Sequence, residues 1–331
     1  MNILVNLPKG FFDYKAIRSI FFRLEKMGTL RLTSHNLPEE IQPDLEWADA
    51  LIMWSWPVLT VKMLAAAPKL RYAGHIDITQ RGAEAELMHG LAVSVSRSGF
   101  SPAVSEMALA LILNCLRKVS EHYHHMRTGT EKWVKSFPED IDTSERELTY
   151  ANVGIIGFGR VGRRLAELMT PFHVQLRLYD PFLTEAIVHQ HAAHIVSLHT
   201  LLEESDIIVL CAASNDGTKH LLGKKEISLF PKNSIFVNVA RAALVDTDAL
   251  INRLKENDMI AALDVFDREP LEEDSILRSL PNVYLTPHRA GGISASVVRI
   301  LSWLADDLES FLHGNERQYA ITENMISGLD A

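Results

Sequence analysis

Cysteine, positive charge and long apolar runs are all scarce in this 331-residue chain. Two cysteines, Cys115 and Cys211, provide neither a disulfide framework nor a zinc-ligand set, and point to a reducing, cytoplasmic setting. Thirty-three Lys and Arg against 42 Asp and Glu leave a net charge of −9. That balance argues against nucleic acid or an anionic membrane surface as partner, since both recruit basic patches. The longest apolar run, within Met107–Leu113, is far short of a membrane span. The opening MNILVNLPKG has no basic leader followed by a long apolar stretch, and is expected to be a first β-strand. What remains is an ordinary globular composition, 47% hydrophobic and 23% charged, with length enough for two domains.

Apolar β-runs and helical patterns alternate through the middle of the chain. Strands are expected at 153–157, 175–180, 206–212, 234–240, 260–266 and 283–287. Near-continuous Val, Ile and Leu in strands separated by helices predict a parallel sheet covered on both faces. The first hundred residues repeat the pattern more weakly, with strands at 3–7, 50–54, 70–74 and 91–96. A long helix is expected from Ser101 through Met126, buried along much of its length, followed by a polar arm over 129–150. The last helix should stop at His313-Gly314, a basic residue and then a C-cap glycine.

One expected strand, VGIIG, runs directly into Gly157-Phe-Gly159-Arg160-Val161-Gly162 and then into a helical segment. Glycines at this junction let the backbone approach a pyrophosphate, and the helix N-terminus offers it free N–H groups. Asp180 ends the next strand eighteen residues after Gly162, where a carboxylate accepts the ribose hydroxyls and repels a 2′-phosphate. The pattern predicts NAD as cofactor. Arg241, Glu269 and His288 follow three successive expected strands, on the edge where open α/β sheets bind ligands. Arg offers a planar fork to a carboxylate, His exchanges a proton near neutral pH, and a neighbouring Glu orients the ring. With NAD these are the parts of hydride transfer to a 2-oxo acid. Taken singly, each has a plainer reading as a surface ion pair or strand-end residue.

Four segments in order, GFGRVG with Asp180, VNVARAALVDTDAL, ALDVFDREPL and LTPHRAGG, span about two-thirds of the chain. Together they resemble the D-isomer-specific 2-hydroxyacid dehydrogenases, which include glyoxylate/hydroxypyruvate reductases and phosphoglycerate dehydrogenases. The resemblance implies two doubly wound parallel-sheet domains. A Rossmann NAD domain (101–290) is inserted into a smaller flavodoxin-like substrate domain (1–100 with 291–331). It assigns Arg241, Glu269 and His288 as the catalytic set acting on a small 2-oxo or 2-hydroxy acid. It adds Ala212, Thr218, Val239, Asp264 and Gly291 to the cofactor's surroundings. It also implies a homodimer, with the 101–126 helix and the 129–150 arm as candidate contacts.

The chain departs from the family pattern in places. Ala242 follows Arg241 where Gly is usual, and Arg289 follows His288 where an apolar residue is usual. Segment 71–82, RYAGHIDITQRG, has lost most of the glycine-rich loop whose N–H groups hold the substrate carboxylate in the family. Trp54 and Trp56 are a second candidate wall of the substrate pocket. A non-catalytic NAD(H)-responsive regulator on the same scaffold is the competing function; the complete Arg–Glu–His set favours the enzyme. Two histidine clusters, His122-Tyr-His124-His125 and His189-Gln-His191 with His194, lack metal-ligand spacing and are read as exposed. Cys211 is read as a small apolar filler.

Overall fold

The computed structural model describes residues 1–184 and 191–328. The chain divides into two compact units, Met1–Phe100 with Gly292–Ala331, and Ser101–Gly291.

The first unit contains a five-stranded all-parallel sheet. Its strands are β1 (Asn2–Asn6), β2 (Thr29–Thr33), β3 (Ala50–Met53), β4 (Tyr72–His75) and β5 (Ala92–Val95). The order β2-β1-β3-β4-β5 is the flavodoxin-like winding. Side chains alternate between two cores. Ile3, Val5 and Ile52 pack with helix α1 (Lys15–Met27) and the C-terminal helix Ser294–Leu312, while Leu4, Leu51, Ala73 and Val93 line the opposite layer. The C-terminal helix stops at His313, and Gly314 follows at φ +69°.

The second unit has seven parallel strands ordered β12-β11-β10-β9-β6-β7-β8. They are β6 (Asn152–Ile156), β7 (Gln175–Tyr179), β8 (Ala193–Ile195), β9 (Ile207–Leu210), β10 (Ile235–Asn238), β11 (Ile260–Leu263) and β12 (Val283–Leu285). The order reverses between β6 and β9, the crevice where doubly wound sheets bind dinucleotides. Val153, Ile155, Val209 and Val237 face helices α5 (Ser101–Arg117) and α7 (Arg160–Met169). Ile156, Ile208, Leu210 and Phe236 face helices Leu198–Glu204 and Thr247–Leu254.

Strands β2 and β8 are absent from the sequence reading, and both are edge strands with partly or fully exposed residues. The expected 101–126 helix is two helices. Lys118 sits at φ +48°, and α6 (Val119–Thr128) contains no buried residue. The Asn114 side chain accepts the Ser120 N–H at 2.9 Å, and Lys118 Nζ donates to Asp142 at 2.8 Å, fixing the break. One helical stretch, Arg97–Arg117, is long and apolar enough to cross a membrane by length and composition. Its residues Ala108, Leu111, Ile112 and Cys115 lie in the core of the second unit, which accounts for that composition.

Candidate active site

The glycine loop opens where β6 ends. Gly157 has φ +86°, and a Cβ there would lie 2.3 Å from the Ala212 Cα, so only glycine fits beside the chain leaving β9. At Gly162 a Cβ would lie 2.5 Å from the Gly157 carbonyl oxygen, so this glycine sets the helix–strand approach. Gly159 is different: a Cβ there meets nothing within 4 Å. Its backbone, φ −72°, suits any residue. The fold itself does not require this glycine, whereas a pyrophosphate brought against the loop does. Arg160 and Val161 open α7, whose first N–H groups have no intrahelical acceptor. The loop therefore fits a dinucleotide. Asp180 accepts the Phe158 N–H at 2.8 Å and the Phe182 N–H at 2.9 Å. Those bonds fix the carboxylate at the loop's mouth and leave each oxygen a lone pair for a ribose hydroxyl.

Of the remaining expected cofactor residues, Ala212 packs against Gly157 and Val239 is buried just past β10. The Thr218 hydroxyl donates to Ala213 O at 2.8 Å, so it shapes the loop after β9. Gly291 is half-buried beside Ala290.

Beyond β11 and β12 the structure brings His288 and Glu269 together, the two residues expected to share the proton transfer. His288 Nδ1 and Glu269 Oε2 are 2.6 Å apart. Glu269 Oε1 accepts the Phe266 N–H at 3.1 Å, which fixes the carboxylate in turn. Burial alone would raise the Glu269 carboxyl. The hydrogen bond from His288, the Phe266 N–H and the charges of His288 and Arg241 outweigh it and hold it below the usual carboxylate range. Arg241 follows β10 and is exposed. Its Nη1 donates to Ala240 O at 2.8 Å, and its other N–H groups have no hydrogen-bond partner among the described residues.

Two residues that the sequence reading missed shape this site. Asn238, buried at the end of β10, accepts the Ala240 N–H at 3.0 Å and donates to Arg241 O at 3.2 Å, forming the turn that presents Arg241. A polar Asn in an otherwise apolar strand was the available signal. Thr286 donates to Asp264 at 2.6 Å. Asp264, fully buried, also accepts the N–H groups of Arg289 and Ala290, both at 2.9 Å. These donors bracket His288, whose backbone is left-handed at φ +50°. Asp264 thus clamps the loop that aims the imidazole, in addition to any contact with cofactor. The Arg289 side chain is exposed and has no hydrogen-bond partner among the described residues.

In the first unit, two N–H groups of the segment after β4 are already paired within the protein. The Ile76 N–H donates to Met53 O and the Ile78 N–H to Asp77 Oδ1, each at 3.0 Å. His75 is buried against Glu86, Nε2 to Oε2 2.8 Å. Trp54 stacks on Phe11 at 5.6 Å and contacts Trp56 at 5.5 Å, an aromatic cluster within this unit. His122 pairs with Glu145 at 2.9 Å, His125 with Thr130 at 2.8 Å, and His194 is exposed. His191 packs edge-on to Phe158, and His189 lies outside the described residues. No group of three or more His, Cys, Asp and Glu placed to hold a metal occurs among the described residues. Burial pushes the Cys211 thiol up to about 12, which suits a packing role.

The family model described as "D-isomer specific 2-hydroxyacid dehydrogenase, NAD binding domain" matches residues 109–290. The chain belongs to the D-isomer specific 2-hydroxyacid dehydrogenase family. It is similar to the glyoxylate reductase of Aeropyrum pernix, 32% identical over 270 residues, 81% of each chain. Glyoxylate/hydroxypyruvate reductase B of Enterobacter sp. strain 638 is 28% identical over 320 residues, 92% of this chain and 94% of that protein. The fold matches that of D-lactate dehydrogenase with NAD+ from Lactobacillus jensenii. The TM-score is 0.78 at 23% identity, over 98% of this chain and 100% of that one. As a member of this family, the 2-hydroxyacid dehydrogenase is an NAD-dependent enzyme, and the glycine loop with Asp180 suits that cofactor.

Proposed function

We propose that the enzyme reduces a small 2-oxo acid to its D-2-hydroxy acid, with Arg241, Glu269 and His288 as its catalytic set. The His288–Glu269 pair at 2.6 Å, with Arg241 close enough to stabilise the carboxylate, carries this reading. Bound at the glycine loop, NADH supplies the hydride. The Arg241 fork binds the substrate carboxylate and polarises the carbonyl. Glu269 occupies His288 Nδ1, which leaves Nε2 to give its proton to the carbonyl oxygen as negative charge develops there. In the oxidative direction the same nitrogen takes the hydroxyl proton.

The protein acts as a homodimer on this reading. Val119, Tyr123, Met126, Trp133, Val134 and Phe137 are all exposed along α6 and the arm that follows. So much apolar surface on one continuous segment suits a second copy of the chain. Sedimentation should give twice 37.1 kDa. The functional reading is tested by NADH oxidation with a panel of 2-oxo acids and chiral separation of the product. NADH-dependent formation of the D-hydroxy acid supports it; tight NADH binding with no turnover on any acid overturns it.

A further inference from the structure

A cavity of about 650 Å³ lies within the second unit, on the Glu269 side of the His288 ring. Its apolar walls are Phe266, Pro270, Leu271, Leu285 and Pro287. Glu269 occupies His288 Nδ1, which leaves Nε2 for a substrate carbonyl, and Arg241 does not line the cavity. The space is therefore separate from the position proposed for the 2-oxo acid. Its volume still falls in the range of small-molecule sites, which are mostly apolar with a few convergent polar groups.

Arg278 lines the cavity as well. Its Nε donates to Glu272 O at 2.8 Å and its Nη2 to Leu271 O at 2.9 Å, so two carbonyls pin one side of the guanidinium. The end-on edge, Nη1 with the second N–H of Nη2, has no hydrogen-bond partner among the described residues. The nearby carboxylates are committed elsewhere: Glu272 pairs with Arg268 at 3.4 Å, and Glu269 with His288. Thr286 donates to Asp264. An apolar chamber thus carries one fixed cation whose charge no carboxylate among the described residues meets.

We infer that this cavity is a second small-molecule site, which takes a monocarboxylate with an unbranched apolar tail. The tail lies against Phe266, Leu271 and Leu285, and the carboxylate takes the end-on edge of Arg278, where planar fork meets planar acceptor. Each methylene moved from water onto these walls strengthens binding by up to about fourfold. A neutral alcohol of equal length gains the tail's contribution without the ion pair. Pro270 follows Glu269 and Pro287 precedes His288, so an occupant packs against the chain neighbours of that pair without entering the substrate's position. Binding here does not require the reaction proposed above.

The test is calorimetric titration of the full chain with butanoate, hexanoate, octanoate and octanol. One octanoate should bind per chain, at least about tenfold more tightly than butanoate. A flat series, or no binding, overturns the inference. Saturating NADH and oxamate should leave octanoate affinity within about threefold; displacement by oxamate puts the carboxylate in the substrate's position and overturns it. Arg278→Gln should weaken octanoate at least about tenfold and leave octanol within about threefold. Equal losses for the two ligands, or none, overturn the role of Arg278. Leu271→Trp, which fills the cavity, should weaken both ligands; octanoate binding unchanged in that variant lies elsewhere and overturns the site. Octanoate that binds only while splitting a dimer into 37.1 kDa chains would assign the cavity to a second copy of the chain, and overturns it as well.

Discussion

Asp264→Asn removes one carboxylate oxygen and the charge while keeping the side chain's shape. In the native loop, Oδ1 accepts from Thr286 and the Arg289 N–H, and Oδ2 accepts the Ala290 N–H. With asparagine, one side of this clamp becomes an NH2 group facing an N–H donor in a fully buried site. A buried donor left unpaired costs about 1–3 kcal/mol. The clamp holds His288 at φ +50°, and a non-glycine residue there is strained by about 1–2 kcal/mol. Once loosened, the loop relaxes toward negative φ, and the imidazole leaves Glu269 for most of the time. A gap of 1–2 kcal/mol leaves a competent fraction that lowers kcat by about 5- to 30-fold. The assay is steady-state NADH oxidation, with NADH affinity measured separately by fluorescence titration. A fall in kcat with NADH affinity kept within about threefold is expected. If affinity falls as much as kcat, Asp264 acts on the cofactor and the clamp argument is wrong. Unchanged kcat refutes it as well.

Other outcomes follow from the geometry of the two units. Gly159→Ala should leave the melting temperature equal or slightly raised, since its φ suits alanine and its Cβ meets nothing, yet weaken NADH at least about tenfold. Gly157→Ala should cost more than about 2 kcal/mol in urea unfolding, because φ is positive and Ala212 blocks the Cβ. Glu269→Gln keeps a partner at His288 Nδ1 but removes the charge from that hydrogen bond, so kcat should fall by about 10- to 100-fold with NADH affinity retained. An unchanged kcat would show that the pair does not orient the proton donor.

In the first unit, burial opposes a charged His75, but Glu86, the Trp54 carbonyl and Asp77 outweigh it and raise its pKa. Stability from this pair is complete below the unfolded histidine value of about 6.5 and is lost as pH rises through the raised folded value. Melting temperature should therefore decline on the alkaline side. Glu86→Gln should remove that slope and cost about 3–5 kcal/mol at neutral pH. A wild-type melting temperature that stays flat across that range would count against a charged pair.

Legibility in the sequence followed burial and chain continuity. The expected central strands were legible because Val, Ile and Leu run nearly unbroken through them, as both faces of a parallel sheet require. Edge strands β2 and β8 were not, since one side faces no neighbour and their residues are partly exposed. The break at Lys118 was hidden because the chain runs on from α5 through Thr128 without proline or glycine, and a side-chain cap from Asn114 makes the turn. Glycine spacing exposed the cofactor loop, but not which glycine serves the fold and which a ligand. Gly157 and Gly159 separate only when their surroundings are known. Asp264 stood in a telling motif, yet its bonds to the His288 loop join positions more than twenty residues apart and had no local signature.

The central claim is that His288, oriented by Glu269, moves the proton, and His288→Ala tests it most directly. With NADH affinity retained, turnover of the best 2-oxo acid should fall by roughly 10²–10⁴. A variant that keeps turnover within a few-fold of the native enzyme would contradict it.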